Sequence, residues 1–202
     1  LKHEGRYYMI CTKHQLDQTE NLESVCLLIP GGPGQTTCIS SGGVRWFDRS
    51  GDGDHQQIVA FDFTEPCNEI PELRAMFFDF RRQHPNIPAK QIIAFITYGY
   101  PTCLADFDFE AGEIKQTRAR VLSRFASPGS DDALHFIEPI SPLKFDPDGM
   151  SGGPTFCVTM DSSRELTAHF SGVTVRGGRN RLILIKAGAV QAMLNSSNYT
   201  RR

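Results

Sequence analysis

Residues 149–160 read Gly149-Met150-Ser151-Gly152-Gly153-Pro154-Thr155-Phe156-Cys157-Val158-Thr159-Met160. A glycine-rich turn holding one serine runs directly into an apolar segment rich in β-branched and aromatic residues, which reads as a strand. The pattern repeats along the chain. Short apolar runs bounded by Gly, Pro, Asn and Asp predict strands at Arg6 to Cys11, Ser24 to Ile29, Gly43 to Phe47, Gln57 to Phe63, Gln91 to Thr97, Ile114 to Ser123, Leu134 to Phe136, Thr155 to Met160, Leu166 to Val175 and Arg181 to Lys186. Two helices are expected. One starts at Pro71, a residue suited to a first helical turn, and runs to about Gln83; the other covers Ala187 to Asn195. Neither helix alternates with strands in a βαβ manner, so the predicted class is all-β.

Composition agrees with a folded domain. The 202 residues are 40% hydrophobic and 22% charged, and the 21 Lys and Arg nearly balance the 23 Asp and Glu. Disorder and fibrous architectures are excluded, and no basic surplus argues for nucleic acid or an anionic membrane. The apolar runs are all shorter than a membrane-spanning helix needs. Six cysteines form no C-x-x-C pair, which removes zinc and thioredoxin-like readings. They read as free thiols more readily than as bridges, which points to a cytoplasmic location, with a secreted or periplasmic one as the alternative. No metal and no cofactor is expected. The turn Asp48 to Asp54 resembles the first half of a calcium loop, but the position of the bidentate Glu falls on Val59, so a solvated acidic turn is expected. Gly31-Gly32-Pro33-Gly34 lacks the Lys-Ser/Thr ending of a phosphate loop.

Chemistry concentrates in Gly149 to Pro154. Five fixed small residues of this kind arise by chance at roughly one position in a million. Glycines on both sides of Ser151 allow main-chain N–H groups to approach a carbonyl oxygen and hold its developing charge, so Ser151 is the candidate nucleophile and Gly149 and Ser151 the candidate oxyanion hole. A serine hydroxyl needs a base, most often His. His14 closes the run Tyr7 to Lys13 at the mouth of a strand, whereas His3, His55, His84, His135 and His169 lie in turns or sheet contexts with weaker claims.

These residues resemble the trypsin-like (chymotrypsin-fold) serine peptidases, particularly the bacterial members without disulfides. Gly149 to Pro154 is similar to the family's nucleophile motif, and Met9 to His14 to the strand that ends in its catalytic His. His14 precedes Ser151 by 137 residues, an order and separation similar to the family's. Tyr98-Gly99-Tyr100-Pro101 falls where a Gly-aromatic turn opens the second barrel, and Ser171 to Val175 looks like the strand flanking the substrate. The resemblance implies two packed antiparallel six-stranded β-barrels, an N-terminal one over about 1–105 and a C-terminal one over about 106–202, with an inserted helix and a C-terminal helix. It also implies substrate contacts at Val173, Thr174 and Val175, and Phe145 near the floor of the primary specificity pocket. A Phe there favours small or apolar substrate residues over Arg or Lys.

The departures concern the acid and the N-terminus. Aligning Gln57 to Pro66 with the family's acid-bearing strand puts Gln57 where Asp is expected; Gln57 or Asp54 is favoured as the group that orients His14, with Asp62 third. Met150 replaces the Asp that pairs with a new N-terminus in the zymogen-activated animal enzymes, so that activation route is not expected. Gln15 and Pro147 stand where the family's half-cystines occur. Only 13 residues precede His14, so the first strands are expected to be missing from this sequence.

Two functional readings follow. One is a serine endopeptidase that cleaves polypeptides through an acyl-enzyme on Ser151, with His14 as base then acid and no cofactor. The other is a catalytically impaired module that holds a peptide as an added strand. An esterase on an α/β-hydrolase fold is disfavoured, since a strand and not a helix follows the nucleophile. A cytoplasmic peptidase would endanger its host, so an adjoining regulatory domain or activator protein is the expected partner.

Overall fold

The computed structural model describes residues 1–16, 25–30, 36–46, 54–80, 87–108, 110, 113–129, 131–195 and 199–201. The expected acidic turn at 48–54 and the Gly31 to Gly34 loop lie largely outside them. The chain is mostly β and divides into two compact units: residues 1–51, 56–82 and 193–202, and residues 52–55 and 83–192.

In the first unit, β1 (Lys2–His3), β2 (Arg6–Thr12), β5 (Gly43–Trp46), β6 (Ile58–Asp62) and β15 (Tyr199–Arg201) form an open sheet in the order β1-β2-β6-β5-β15. A separate hairpin joins β3 (Cys26–Pro30) to β4 (Thr36–Ser40). Every residue of β6 is buried, because β6 lies between β2 and β5 and carries no polar side chain before Asp62. Tyr7, Val44, Val59, Phe61, Phe63, Cys67 and Leu73 make the core of this unit.

In the second unit, β7 (Ile92–Gly99), β10 (Ala119–Pro128), β11 (Leu134–Pro139), β12 (Pro154–Met160), β13 (Leu166–Gly178) and β14 (Arg181–Lys186) close an antiparallel barrel in the order β10-β11-β14-β13-β12-β7. Alternation sets the inward face. In β10, Ala119, Val121 and Ser123 are buried while Arg120, Leu122 and Arg124 are exposed. Of the inward set, Val121 packs with Phe95, Ile137, Met150, Cys157, Leu182 and Leu184. A short hairpin of β8 (Ala105–Asp108) and β9 (Glu113–Gln116) stands apart.

Several expectations are corrected. One barrel is closed; among the described residues the first unit's strands form an open sheet and a hairpin. β7, expected in the N-terminal half, pairs with β10 and β12 and is a stave of the closed barrel. The strand expected at Ile114 to Ser123 breaks into β9 and β10, which pair with different partners. The helix expected from Pro71 is a 3-10 turn over Pro71–Met76 after a short α1 (Thr64–Glu69). The C-terminal helix α2 spans Ala187–Asn195 as expected.

Candidate functional site

The serine turn is shaped by backbone that only glycine adopts freely. Gly149 has φ +86° and Gly152 φ +80°, both in the left-handed region. A Cβ on Gly149 would lie 2.6 Å from Thr102 Oγ1 and 2.7 Å from Tyr100 O, and one on Gly153 would lie 2.1 Å from Tyr98 O. The turn therefore packs against the Tyr98 to Thr102 backbone, and Asp148 O accepts the Thr102 N–H at 2.8 Å. Gly152 N–H donates to Thr174 O at 2.8 Å and Thr174 N–H donates to Gly153 O at 2.9 Å, which ties the turn to β13. Beneath it, the buried hydroxyls of Thr97, Thr155 and Thr174 form a chain at 2.9 and 3.1 Å that links β7, β12 and β13. Within this frame Met150 N–H donates to Pro147 O and Gly153 N–H to Met150 O, while among the described residues no acceptor takes the Gly149 N–H.

Ser151 is half-buried, and its hydroxyl donates to Val175 O at 2.8 Å. A carbonyl accepts a hydrogen bond but is no base, so this contact orients Oγ without activating it. The strand edge beside the serine is narrower than expected. Both main-chain groups of Thr174 are bonded to the turn, and Val173 pairs with Pro154 on one side and Ile185 on the other. The side chains of Val173, Thr174 and Val175 are all buried. An added strand would therefore meet the β13 backbone from Val175 onward, where the β13–β14 register shifts between Thr174 and Arg176. Phe145, with Leu143, packs against the barrel core.

His14 sits in a 3-10 turn, Lys13–Gln15, at the end of β2. Thr12 Oγ1 donates to Gln15 Oε1 at 2.9 Å, and the same oxygen accepts the Thr12 N–H at 3.1 Å. Thr12 Oγ1 also faces His14 Nε2 at 3.4 Å. This contact is long, and it turns the imidazole toward its own strand.

Of the three candidates for orienting His14, Gln57 lies at its end of the sheet. Thr12 pairs with Ile58, so Gln57 at the close of the 3-10 turn Asp54–Gln57 lies beside the β2 end that carries His14. Asp54 opens that turn, but its side chain lies outside the described residues. Asp62 is at the opposite end of the strand, paired with Tyr8. Its carboxylate accepts from the Thr64 N–H and hydroxyl and meets Arg6 Nη1 at 3.5 Å, so it caps the entry to α1. In the turn Asp54–Gln57, Gln56 Oε1 is buried with no hydrogen-bond partner among the described residues. Nothing in a Gln-Gln pair signals which amide is buried; only the turn decides it.

His3, His135 and His169 have structural settings. His3 Nε2 meets Asn195 Oδ1 at 2.8 Å, and His169 Nε2 meets Thr159 Oγ1 at 3.1 Å. His135 packs edge-on to Phe125 at 5.2 Å, and burial, with help from Lys186, lowers its pKa to about 4. The unfolded chain, with an ordinary His near 6.5, takes up this proton first, so stability is lost as pH falls from about 6.5 toward 4. His135→Leu is expected to flatten that limb of a plot of urea midpoint against pH while leaving the midpoint above pH 7 nearly unchanged. A cavity of about 860 Å³ near His135 and Lys186 is lined by none of the predicted site residues.

No protein-family model matches the chain, and no curated protein matches it. Among the described residues no group of three or more His, Cys, Asp or Glu could hold a metal ion, and no helix is long and apolar enough to cross a membrane.

Proposed function

We propose that the protein is a serine endopeptidase of the trypsin-like kind, with Ser151 as nucleophile, His14 as base and then acid, and the Gly149 and Ser151 N–H groups as oxyanion hole. The observation that carries this reading is the turn itself: positive φ at Gly149, an N–H there without an acceptor, and a serine hydroxyl on the adjoining strand carbonyl. A turn held by five main-chain hydrogen bonds is preorganised, which is what stabilising an oxyanion requires. On this reading the first unit supplies a second barrel-like half, and a polypeptide substrate adds a strand along β13 from Val175 onward. Gln57, Asp54 or Gln56 orients His14.

A second reading is a peptide-binding module impaired in catalysis. It is favoured by the His14 contact to Thr12 Oγ1 and by the absence of a carboxylate at position 57.

Labelling with a fluorophosphonate probe separates the two. The peptidase reading expects an adduct on Ser151, mapped by peptide mass, that is lost in His14→Ala. A folded protein that takes no label while binding extended peptides would transfer the case to the module.

A further inference from the structure

The β3–β4 hairpin brings two thiols together on its outer face. Cys26 lies opposite Ser40, and Cys38 lies opposite Leu28. Opposed residues share a face and side chains alternate with a period of two, so Cys26, Leu28, Cys38 and Ser40 project to one side. From the other side Leu27, Ile29 and Ile39 pack against the core of the first unit. The thiol side is therefore turned to solvent: Leu28 is 62% exposed, Cys38 is exposed and Cys26 is half-buried. The two thiols are diagonal neighbours on that face, and burial, then the adjacent Cys38, raise the Cys26 thiol above its ordinary pKa.

The remaining cysteines are placed differently. Cys67 and Cys157 are buried, and burial pushes the half-buried Cys11 thiol up to about 12. Cys103 is exposed on β8's side of the second unit, with its Sγ 3.5 Å from Asp146 O.

We propose that Cys26 and Cys38 form a redox-active dithiol, a modification site that a low-molecular-weight disulfide oxidises to a cross-strand disulfide and a low-molecular-weight thiol reduces again. The proposal is independent of the peptidase reading. In the first step the Cys38 thiolate attacks one sulfur of the small disulfide, forming a mixed disulfide and expelling one small thiolate. The Cys26 thiolate then attacks Cys38 Sγ, forming the protein disulfide and expelling the second. Two protein thiols are oxidised by two electrons, the small disulfide is reduced to two thiols, and the two protons leave with them.

The register explains why the bond is reversible. A diagonal pair in a flat ladder is separated by about 7–8 Å between Cα atoms, beyond the roughly 4.4–6.8 Å of a relaxed disulfide. Among the described residues β3 and β4 form a two-stranded sheet, and such ribbons twist more strongly than wider sheets, which draws one diagonal together. The misfit that remains makes the bond easily reduced.

The test is to incubate the chain with oxidised glutathione, alkylate the remaining thiols and map the peptides. The expected product has Cys26 linked to Cys38, while Cys103, with no neighbouring thiol, carries glutathione. Cys26→Ser is expected to raise the glutathione retained on Cys38 by at least about tenfold, since the intramolecular thiol that displaces it is gone. Dithiothreitol returns the wild-type protein to six alkylatable thiols. A wild-type protein in which Cys38 keeps its glutathione, or in which Cys26 stays alkylatable once Cys38 is oxidised, overturns the proposal. Should Cys26→Ser fail to fold, the wild-type peptide map decides alone.

Discussion

Ser151→Ala is expected to remove all fluorophosphonate labelling and to lower peptide hydrolysis by at least about 10²-fold. The size of the loss measures more than the nucleophile. Where nucleophile, base and acid act as one unit, deleting the serine costs about 10⁶ in kcat, and deleting the acid alone costs about 10⁴. These losses do not add, so a chain with no group orienting His14 has already forgone most of the effect and keeps only about 10² for Ser151 to lose. A loss near 10⁶ would show that an acceptor at Gln57, Asp54 or Gln56 orients the imidazole as an acid does. A loss near 10² would show His14 working without one, and Gln57→Asp should then raise the rate. Unchanged hydrolysis in Ser151→Ala would sink the assignment of the nucleophile. The geometry gives the substitution a clean reading, because the Ser151 hydroxyl bonds to Val175 O at the rim of the turn while the fold of the turn rests on the neighbouring glycines and Thr174.

Gly172→Ala is expected to be the most destabilising single methyl addition in the second unit. Gly172 has φ +146°, and a Cβ there would lie 1.8 Å from Ile185 O, a main-chain atom of the adjacent strand. Backbone strain of about 1–3 kcal/mol and overpacking of about 1–3 kcal/mol combine at one site. Together they approach the whole stability of a marginal domain, about 5–15 kcal/mol. The expected result is a large fall in the urea midpoint with little change in slope, or no folded protein at all. Gly178→Ala is the control: a Cβ there meets nothing within 4 Å, and its midpoint should move little. Gly153→Ala divides stability from function. Its Cβ would clash with Tyr98 O at 2.1 Å and Met150 O at 2.8 Å, both part of the nucleophile turn or its bed. It should therefore lose labelling even where enough structure survives for a cooperative transition. Equal midpoints for Gly172→Ala and Gly178→Ala would contradict the close approach of β13 to β14.

The strands were largely legible because alternation is local. Leu182 and Leu184 in β14, or Ala119, Val121 and Ser123 in β10, face inward for the same reason that they alternate in the chain. Pairing was not legible. The run Ile114 to Ser123 looks continuous, yet β9 pairs with β8 while β10 pairs with β7 and β11, a division that depends on residues far away in sequence. The stretch after Pro71 has helical composition, but among its described residues a 3-10 turn forms over Pro71–Met76, following the short α1 that contains Pro66. Asp62 shows the same limit. Its distance from His14 in sequence suits an acid, whereas antiparallel pairing carries it to Tyr8, where Thr64 and Arg6 engage it.

At the candidate site, the sequence alone specified the turn and its serine. Glycine at 149 and 152 permits positive φ and glycine at 153 permits close backbone approach, and these are steric properties of the residues themselves. Tertiary structure decided that Ser151 meets the Val175 carbonyl, 24 residues away in sequence, and that the turn is tied to β13 through Thr174. Each of these depends on strand register, and register is set by which distant strands share a core, a quantity that no local pattern contains.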